Sequence, residues 1–203
     1  STGKRIAVYL DGRRALTLMR QPALRLKVGQ ELSAADIATQ KEESAFECAY
    51  ERSLHLLSYR PRSIAEVERY LARRGVESSI ACRVVERLKD AGLLDDQAFA
   101  RFWVEDRESF NPKGERALRY ELRLKGVAEE IISRTLDGLD EEDSAYRAAR
   151  SRLERYMGLE WWDFRAKLGG YLSRRGFSYP AIDAVIRRLW RERELLDVKE
   201  GDR

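Results

Sequence analysis

The sequence predicts a mainly α protein, with three tandem three-helix repeats forming an elongated, curved body and a small β-meander at the N-terminus. Three observations lead there. A short stretch recurs as Tyr70-Leu71-Ala72-Arg73-Arg74-Gly75, Glu121-Leu122-Arg123-Leu124-Lys125-Gly126 and Tyr171-Leu172-Ser173-Arg174-Arg175-Gly176, and its period of about 50 residues is that of a repeat architecture. Apolar residues return around each glycine at helical spacing. The first 32 residues lack that spacing and alternate apolar with polar instead.

Residues 1–32 read as the meander. Ile6, Val8 and Leu10 alternate, Asp11-Gly12 suits a two-residue hairpin turn, residues 15–19 alternate again, and Leu24, Leu26 and Val28 suggest a third strand. Three short strands are too few to stand alone, so the meander is expected to dock on the helices. Ser33 to Asp36 resembles a capping box and opens a short connecting helix over 33–43.

The first repeat spans 44–94. Its first helix turns Ala45, Cys48, Ala49, Leu54 and Leu57 inward and stops before Pro61; Ser63-Ile64-Ala65-Glu66 is a full capping box for the second. The second repeat spans 95–139. An aspartate caps the helix of Phe99, Ala100, Trp103 and Val104, Asn111-Pro112 opens a helix over 112–125, and another follows over 128–138. The third spans 140–193, with helices near 143–157, 161–175 and 179–193, and 194–203 is a polar tail.

The repeated positions fix the core. Val67, Leu118 and Leu168 precede the glycines by two turns, and Leu71, Leu122 and Leu172 by one. Val85, Leu136 and Ile186, then Leu88, Leu139 and Leu189, occupy matching places after them. Such spacing puts each set on one helical face. The glycine suits the left-handed position after a helix end, and the basic pair suits the negative pole of the helix dipole.

With 43% hydrophobic residues the chain can build a core, while 36% charged residues leaves much surface. The net charge of +4, from 39 Lys+Arg against 35 Asp+Glu, is no polycation, so any nucleic-acid contact must come from a local stripe. Cys48, Cys82 and the single His55 make no common zinc site and read as belonging to a reduced, cytoplasmic protein. No signal peptide or membrane-length apolar run is visible in these residues. Phosphate loops, dinucleotide fingerprints and nucleophile elbows are absent, so no catalytic residue, metal or cofactor is expected and an enzyme is not predicted. Asp95-Asp96 and Glu141-Glu142 sit where helices start and read as caps.

Binding remains. Arg116, Arg119 and Arg123 form a stripe on one helix, Arg60 and Arg62 share a loop with Tyr59, and Arg187, Arg188 and Arg191 crowd another helix. A regular stack aligns such clusters, against phosphates or an acidic protein. Phe99, Phe102, Trp103, Trp161 and Trp162 are stacking candidates whose helical spacing favours the core for most.

These residues resemble the RecX regulatory family. The marks are Arg60-Pro61-Arg62-Ser63 with Glu66, Leu71 and Gly75; Gly92-Leu93-Leu94-Asp95-Asp96 with Phe99-Ala100; Gly114, Leu118, Leu122 and Lys125-Gly126; and Tyr171 through Phe177. The match runs over about 44–193, and the second repeat departs from it by Leu124-Lys125 in place of two basic residues. The resemblance implies an all-helical body of three tandem three-helix units that binds the filament of the recombinase RecA on single-stranded DNA, and the chain is expected to be a monomer. It implies inhibition of filament growth, ATP hydrolysis, strand exchange and coprotease action, with direct contact to single- or double-stranded DNA as an addition. The matched basic residues Arg73, Arg74, Lys125, Arg174 and Arg175 are the contact candidates it supplies; Arg60, Arg62, Arg116, Arg119 and Arg123 come from the charge pattern. Two other readings stand beside it: a stand-alone DNA-binding protein of tandem helix-turn-helix-like units, and a purely structural helical scaffold.

Overall fold

The computed structural model describes residues 5–201, with side chains described as far as Glu194. The chain divides into two compact units, one up to Phe99 and one from Ala100 onward.

The first unit begins with a hairpin of β1 (Arg5–Leu10) and β2 (Arg13–Met19), antiparallel, with Val8 opposite Leu16 and a register shift between Val8 and Tyr9. Asp11 and Gly12 both have positive φ, 49° and 77°, as the tight turn requires. The expected third strand does not form. Arg20–Leu24 is a short helix, α1, with Pro22 in its first turn, where a missing N–H costs nothing. Turn hydrogen bonds from Arg25 to Pro22 and Leu26 to Ala23 follow it. Leu16, Leu18 and Met19 are buried, and the Met19 amide donates to Ser44 Oγ at 2.8 Å, which ties the hairpin to the next helix.

That helix, α2 (Ala34–Leu57), is continuous where the sequence suggested two. Ser33 and Asp36 complete a capping box at its start, and no Gly or Pro interrupts it. Its inward face also differs from expectation. Phe46, Ala49 and Ser53 are buried, whereas Ala45 and Leu54 are exposed, because α2 packs on both β2 and a later helix. Next come α3 (Ile64–Arg73), capped by Ser63 and Glu66, and α4 (Ser78–Asp90). Their core joins Phe46 and Ala49 to Val67, Leu71, Val84 and Leu88. Asp95 caps the following helix through the Gln97 and Ala98 amides, while Asp96 accepts the Ile64 amide at 2.8 Å and so ties that helix start to α3. Burial raises the Asp96 carboxyl above the ordinary aspartate value, against the lowering effect of the Ile64 amide.

Helix α5 (Asp96–Phe110) leads into the second unit, which continues with α6 (Glu115–Leu124), α7 (Glu129–Leu136), α8 (Glu141–Arg150), α9 (Trp161–Arg174) and α10 (Tyr179–Gly201). Helix α6 starts after Gly114 rather than at 112. Helix α8 begins at Glu141, with the Asp140 side chain accepting from the Asp143 amide, and a 3-10 turn over Leu153–Tyr156 replaces its expected extension to 157. Helix α10 continues past 193 to Gly201; the last two residues of the expected polar tail lie outside the described residues. Phe164, Leu168, Leu172, Val185 and Leu189 form the core of the last three helices.

The three repeats share one internal geometry. Leu71, Leu122 and Leu172 are all fully buried. Each carbonyl accepts from the residue after the glycine: Val76 to Leu71 at 3.2 Å, Val127 to Leu122 at 3.1 Å, Phe177 to Leu172 at 3.3 Å. Gly75, Gly126 and Gly176 have φ of 70°, 83° and 84°, the left-handed cap expected of them. Leu139 is the exception in the repeated core: it lies beyond α7 and is only partly buried, unlike Leu88 and Leu189.

Candidate interaction surfaces

The basic pair at each helix end splits into two roles. The second member folds back over an aromatic ring. Arg74 lies 5.1 Å from the Tyr70 ring centroid and Arg175 lies 5.1 Å from that of Tyr171, four residues earlier in both cases. In the second repeat Glu121 stands where the tyrosine would be, and Lys125 sits 4.6 Å from the Trp103 ring instead. A cation over a ring contributes about 0.5–1 kcal/mol at exposed sites. The first member points out. Among the described residues, neither Arg73 nor Arg174 has an ion-pair or hydrogen-bond partner, and both are exposed.

Glu121 organises the second repeat. One oxygen accepts from Trp103 Nε1 at 2.9 Å and from Arg107 Nε at 3.0 Å, and the other pairs with Lys113. Burial pushes its carboxyl up, but the hydrogen bonds from Lys113, Trp103 and Arg107 prevail and hold it below the ordinary glutamate value.

The charge stripe on α6 is largely neutralised within the chain. Arg119 donates to Glu115 at 2.7 Å and to Ser133 at 3.1 Å, and pairs with Glu129, which also accepts from Arg123 at 2.8 Å. Arg116 donates to the Ser173 carbonyl at 3.1 Å. Arg60 grips Glu66 through two nitrogens at 3.0 and 2.8 Å, holding the capping box of α3. Arg62 is partly buried, its Nε without a hydrogen-bond partner, and burial together with Arg60 lowers its pKa. Arg187 and Arg188 pair along α10 with Asp183 and Glu192. Of the aromatic candidates, Phe99 is core and Trp161 packs edge-on against Trp190 at 5.2 Å; Phe102 and Trp162 are exposed.

The sequence did not reveal the seam inside the second unit. Arg175 donates to the Asn111 side chain at 2.6 Å and to the Pro112 carbonyl at 2.7 Å. The Gly114 amide donates to the Arg175 carbonyl at 3.0 Å. Asn111-Pro112 thus serves as the receptor for an arginine of the third repeat, not as the start of α6. Ser178 and the Glu115 amide both donate to Glu141, closing the seam from α8. An open groove of about 650 Å³ lies beside it, edged by Arg116, Arg165, Phe177, Tyr179 and Ile182.

Among the described residues no group of three or more His, Cys, Asp or Glu side chains is placed to hold a metal, and no helix is long and apolar enough to cross a membrane. The fold and surfaces define a tandem three-helix repeat protein whose exposed features are suited to binding.

Comparison with known proteins gives the family. Three family models match in order: the RecX first three-helix domain over 49–88, the second over 95–136 and the third over 140–186. The chain is 42% identical over 161 residues to the regulatory protein RecX of Mycobacterium sp. strain KMS, covering 75% of this chain and 88% of that one. It is 40% identical over 169 residues to that of Mycolicibacterium smegmatis, covering 79% and 87%. A crystal structure of a regulatory protein RecX superposes with a TM-score of 0.73 at 26% identity, over 91% of this chain and 93% of the other. The chain belongs to the RecX regulatory protein family.

Proposed function

We propose that this chain binds the RecA filament on single-stranded DNA and inhibits its growth, and with it ATP hydrolysis, strand exchange and coprotease action. Membership of a family of regulatory proteins supports the reading. The observation that carries it to particular residues is the pair Arg73 and Arg174. They occupy the same place in two repeats, face solvent, and have no carboxylate to neutralise them among the described residues. Arg74, Lys125 and Arg175 support the same turns from their rings, while Arg60, Arg119 and Arg123 act chiefly within the chain. Arg62 is partly buried beside Arg60, and Arg116 is held by the Ser173 carbonyl.

Co-sedimentation with RecA assembled on single-stranded DNA tests the reading. The wild-type chain is expected to sediment with the filament, and the paired substitution Arg73→Glu with Arg174→Glu to weaken this at least tenfold. Failure of the wild-type chain to sediment with filaments at equimolar protein would overturn the proposal.

A further inference from the structure

The N-terminal hairpin and the first repeat enclose a second basic site, distinct from the outward arginines. It is an open pocket of about 460 Å³, inside the first unit, walled by the hairpin, one face of α2 and the turn after α3. That volume is in the range of small-ligand sites, about 300–1,000 Å³. Its lining includes Arg5 of β1, Lys41 and Arg52 of α2, and Arg74 of the basic-basic-Gly turn; Glu77 is the one carboxylate on it.

Charge on α2 is segregated by face. Glu42 and Glu43 pair with Arg83 at 2.7 and 2.6 Å, and Glu47 pairs with Arg87 at 3.0 Å, so these three acids are spent on α4, while Asp36 serves the capping box and Glu51 is exposed. Lys41, Ser44, Cys48 and Arg52 follow one another at helical spacing on the pocket side. Among the described residues, Arg5, Lys41, Arg52 and Arg74 have no carboxylate partner, although Arg52 is partly buried. Arg5 Nη2 donates to the Cys48 sulfur at 3.9 Å. Arg5, Lys41 and Arg74 are exposed and, with Arg52, give the open concavity a positive potential that attracts an anion.

We infer that this pocket binds a phosphate group of a nucleic-acid strand. The basic residues on the lining come from three separate elements, β1, α2 and the turn after α3, with the Arg74 guanidinium also resting over the Tyr70 ring. That arrangement suits a tetrahedral oxyanion, which accepts hydrogen bonds from several directions, better than a planar carboxylate, which one guanidinium satisfies. The inference deepens the proposed function by locating a DNA contact on the first repeat, and rests on that reading only for the choice of nucleic acid as the source of the phosphate.

The test uses the chain alone, without RecA. Fluorescence anisotropy follows binding of a labelled oligothymidylate across a salt series, for wild type and for a variant carrying Arg5→Gln, Lys41→Gln and Arg52→Gln. A control carries Arg13→Gln, Arg20→Gln and Lys27→Gln, which removes the same charge from exposed positions outside the pocket. Circular dichroism melting confirms that all three fold. The pocket variant is expected to bind about tenfold more weakly, with a salt slope shallower by about 0.7 for each phosphate released, and the control to match wild type. Equal loss in pocket variant and control, or no loss in the pocket variant, overturns the inference. A wild-type chain that does not bind the oligonucleotide overturns it too. Sedimentation with RecA filaments is scored separately, so either proposal can fail while the other stands.

Discussion

Gly114 and Gly176 pack backbone to backbone: the Gly114 amide donates to the carbonyl of Arg175, and a Cβ on Gly114 would collide with the main chain of Gly176 and Phe177. A Cβ on Gly176 would strike Ala117 in turn. Two helical repeats approach here as closely as bare backbones allow, and Arg175 crosses the gap to Asn111 and Pro112.

Gly114 has an ordinary φ of −71°, so Gly114→Ala carries no backbone strain and isolates the steric term. Overpacking of this kind costs about 1–3 kcal/mol. Gly176→Ala is expected to cost more, because its φ of 84° adds about 1–2 kcal/mol of left-handed strain. Gly75→Ala carries only that strain, since open space surrounds its Cβ position. Urea denaturation should therefore rank Gly176→Ala as more damaging than Gly75→Ala; equal losses would contradict the close approach.

Glu121→Gln keeps an acceptor for Trp103 but leaves Lys113 without its carboxylate and Arg107 with Asp106 alone. The carboxylate is only 18% exposed, so the loss is expected to reach about 1–3 kcal/mol, above that of a surface pair. Urea midpoints check it, and a loss below about 0.5 kcal/mol would contradict the central place given to this residue.

The same carboxyl predicts a pH dependence. Its pKa is lower in the folded chain than in the unfolded one, so its contribution is fully present above the unfolded glutamate value of about 4.3 and is lost as pH falls through the depressed folded value. The gap in stability between wild type and Glu121→Gln should narrow on acidification from neutral pH. A gap that widened would refute the assignment.

Arg119 and Arg73 should separate structural from outward-facing charge. Arg119→Glu sets a third carboxylate against Glu115 and Glu129 and is expected to lower the urea midpoint. Arg73→Glu touches no such partner, and its midpoint should stay within about 0.5 kcal/mol of wild type. Reversing the order of the two effects would contradict the division drawn between them.

The repeat was legible because its signals are local. A buried leucine one turn before a positive-φ glycine and a capping box at Ser63 are written in neighbouring residues. What escaped depends on residues distant in sequence. Arg119 and Arg123 read as a basic stripe, yet Glu129 on the next helix folds against both. Asn111-Pro112 carries a helix-start signal, but Arg175, more than sixty residues away, claims it. Alternation from Leu24 to Val28 suggested a strand, but a strand needs a partner edge, and Pro22 favours the helical turn that forms. The unpaired status of Arg73, Arg174 and Arg52 was equally invisible, since it follows from where the acids go.

RecA-catalysed ATP hydrolysis on single-stranded DNA is the most direct measurement of the central claim, that this helical-repeat chain restrains the filament through outward arginines. Substoichiometric wild-type chain is expected to slow hydrolysis, and the folded Arg73→Glu, Arg174→Glu chain to slow it at least tenfold less effectively. Unchanged hydrolysis with wild type at equimolar protein, or full inhibition by the charge-reversed chain, would contradict the account.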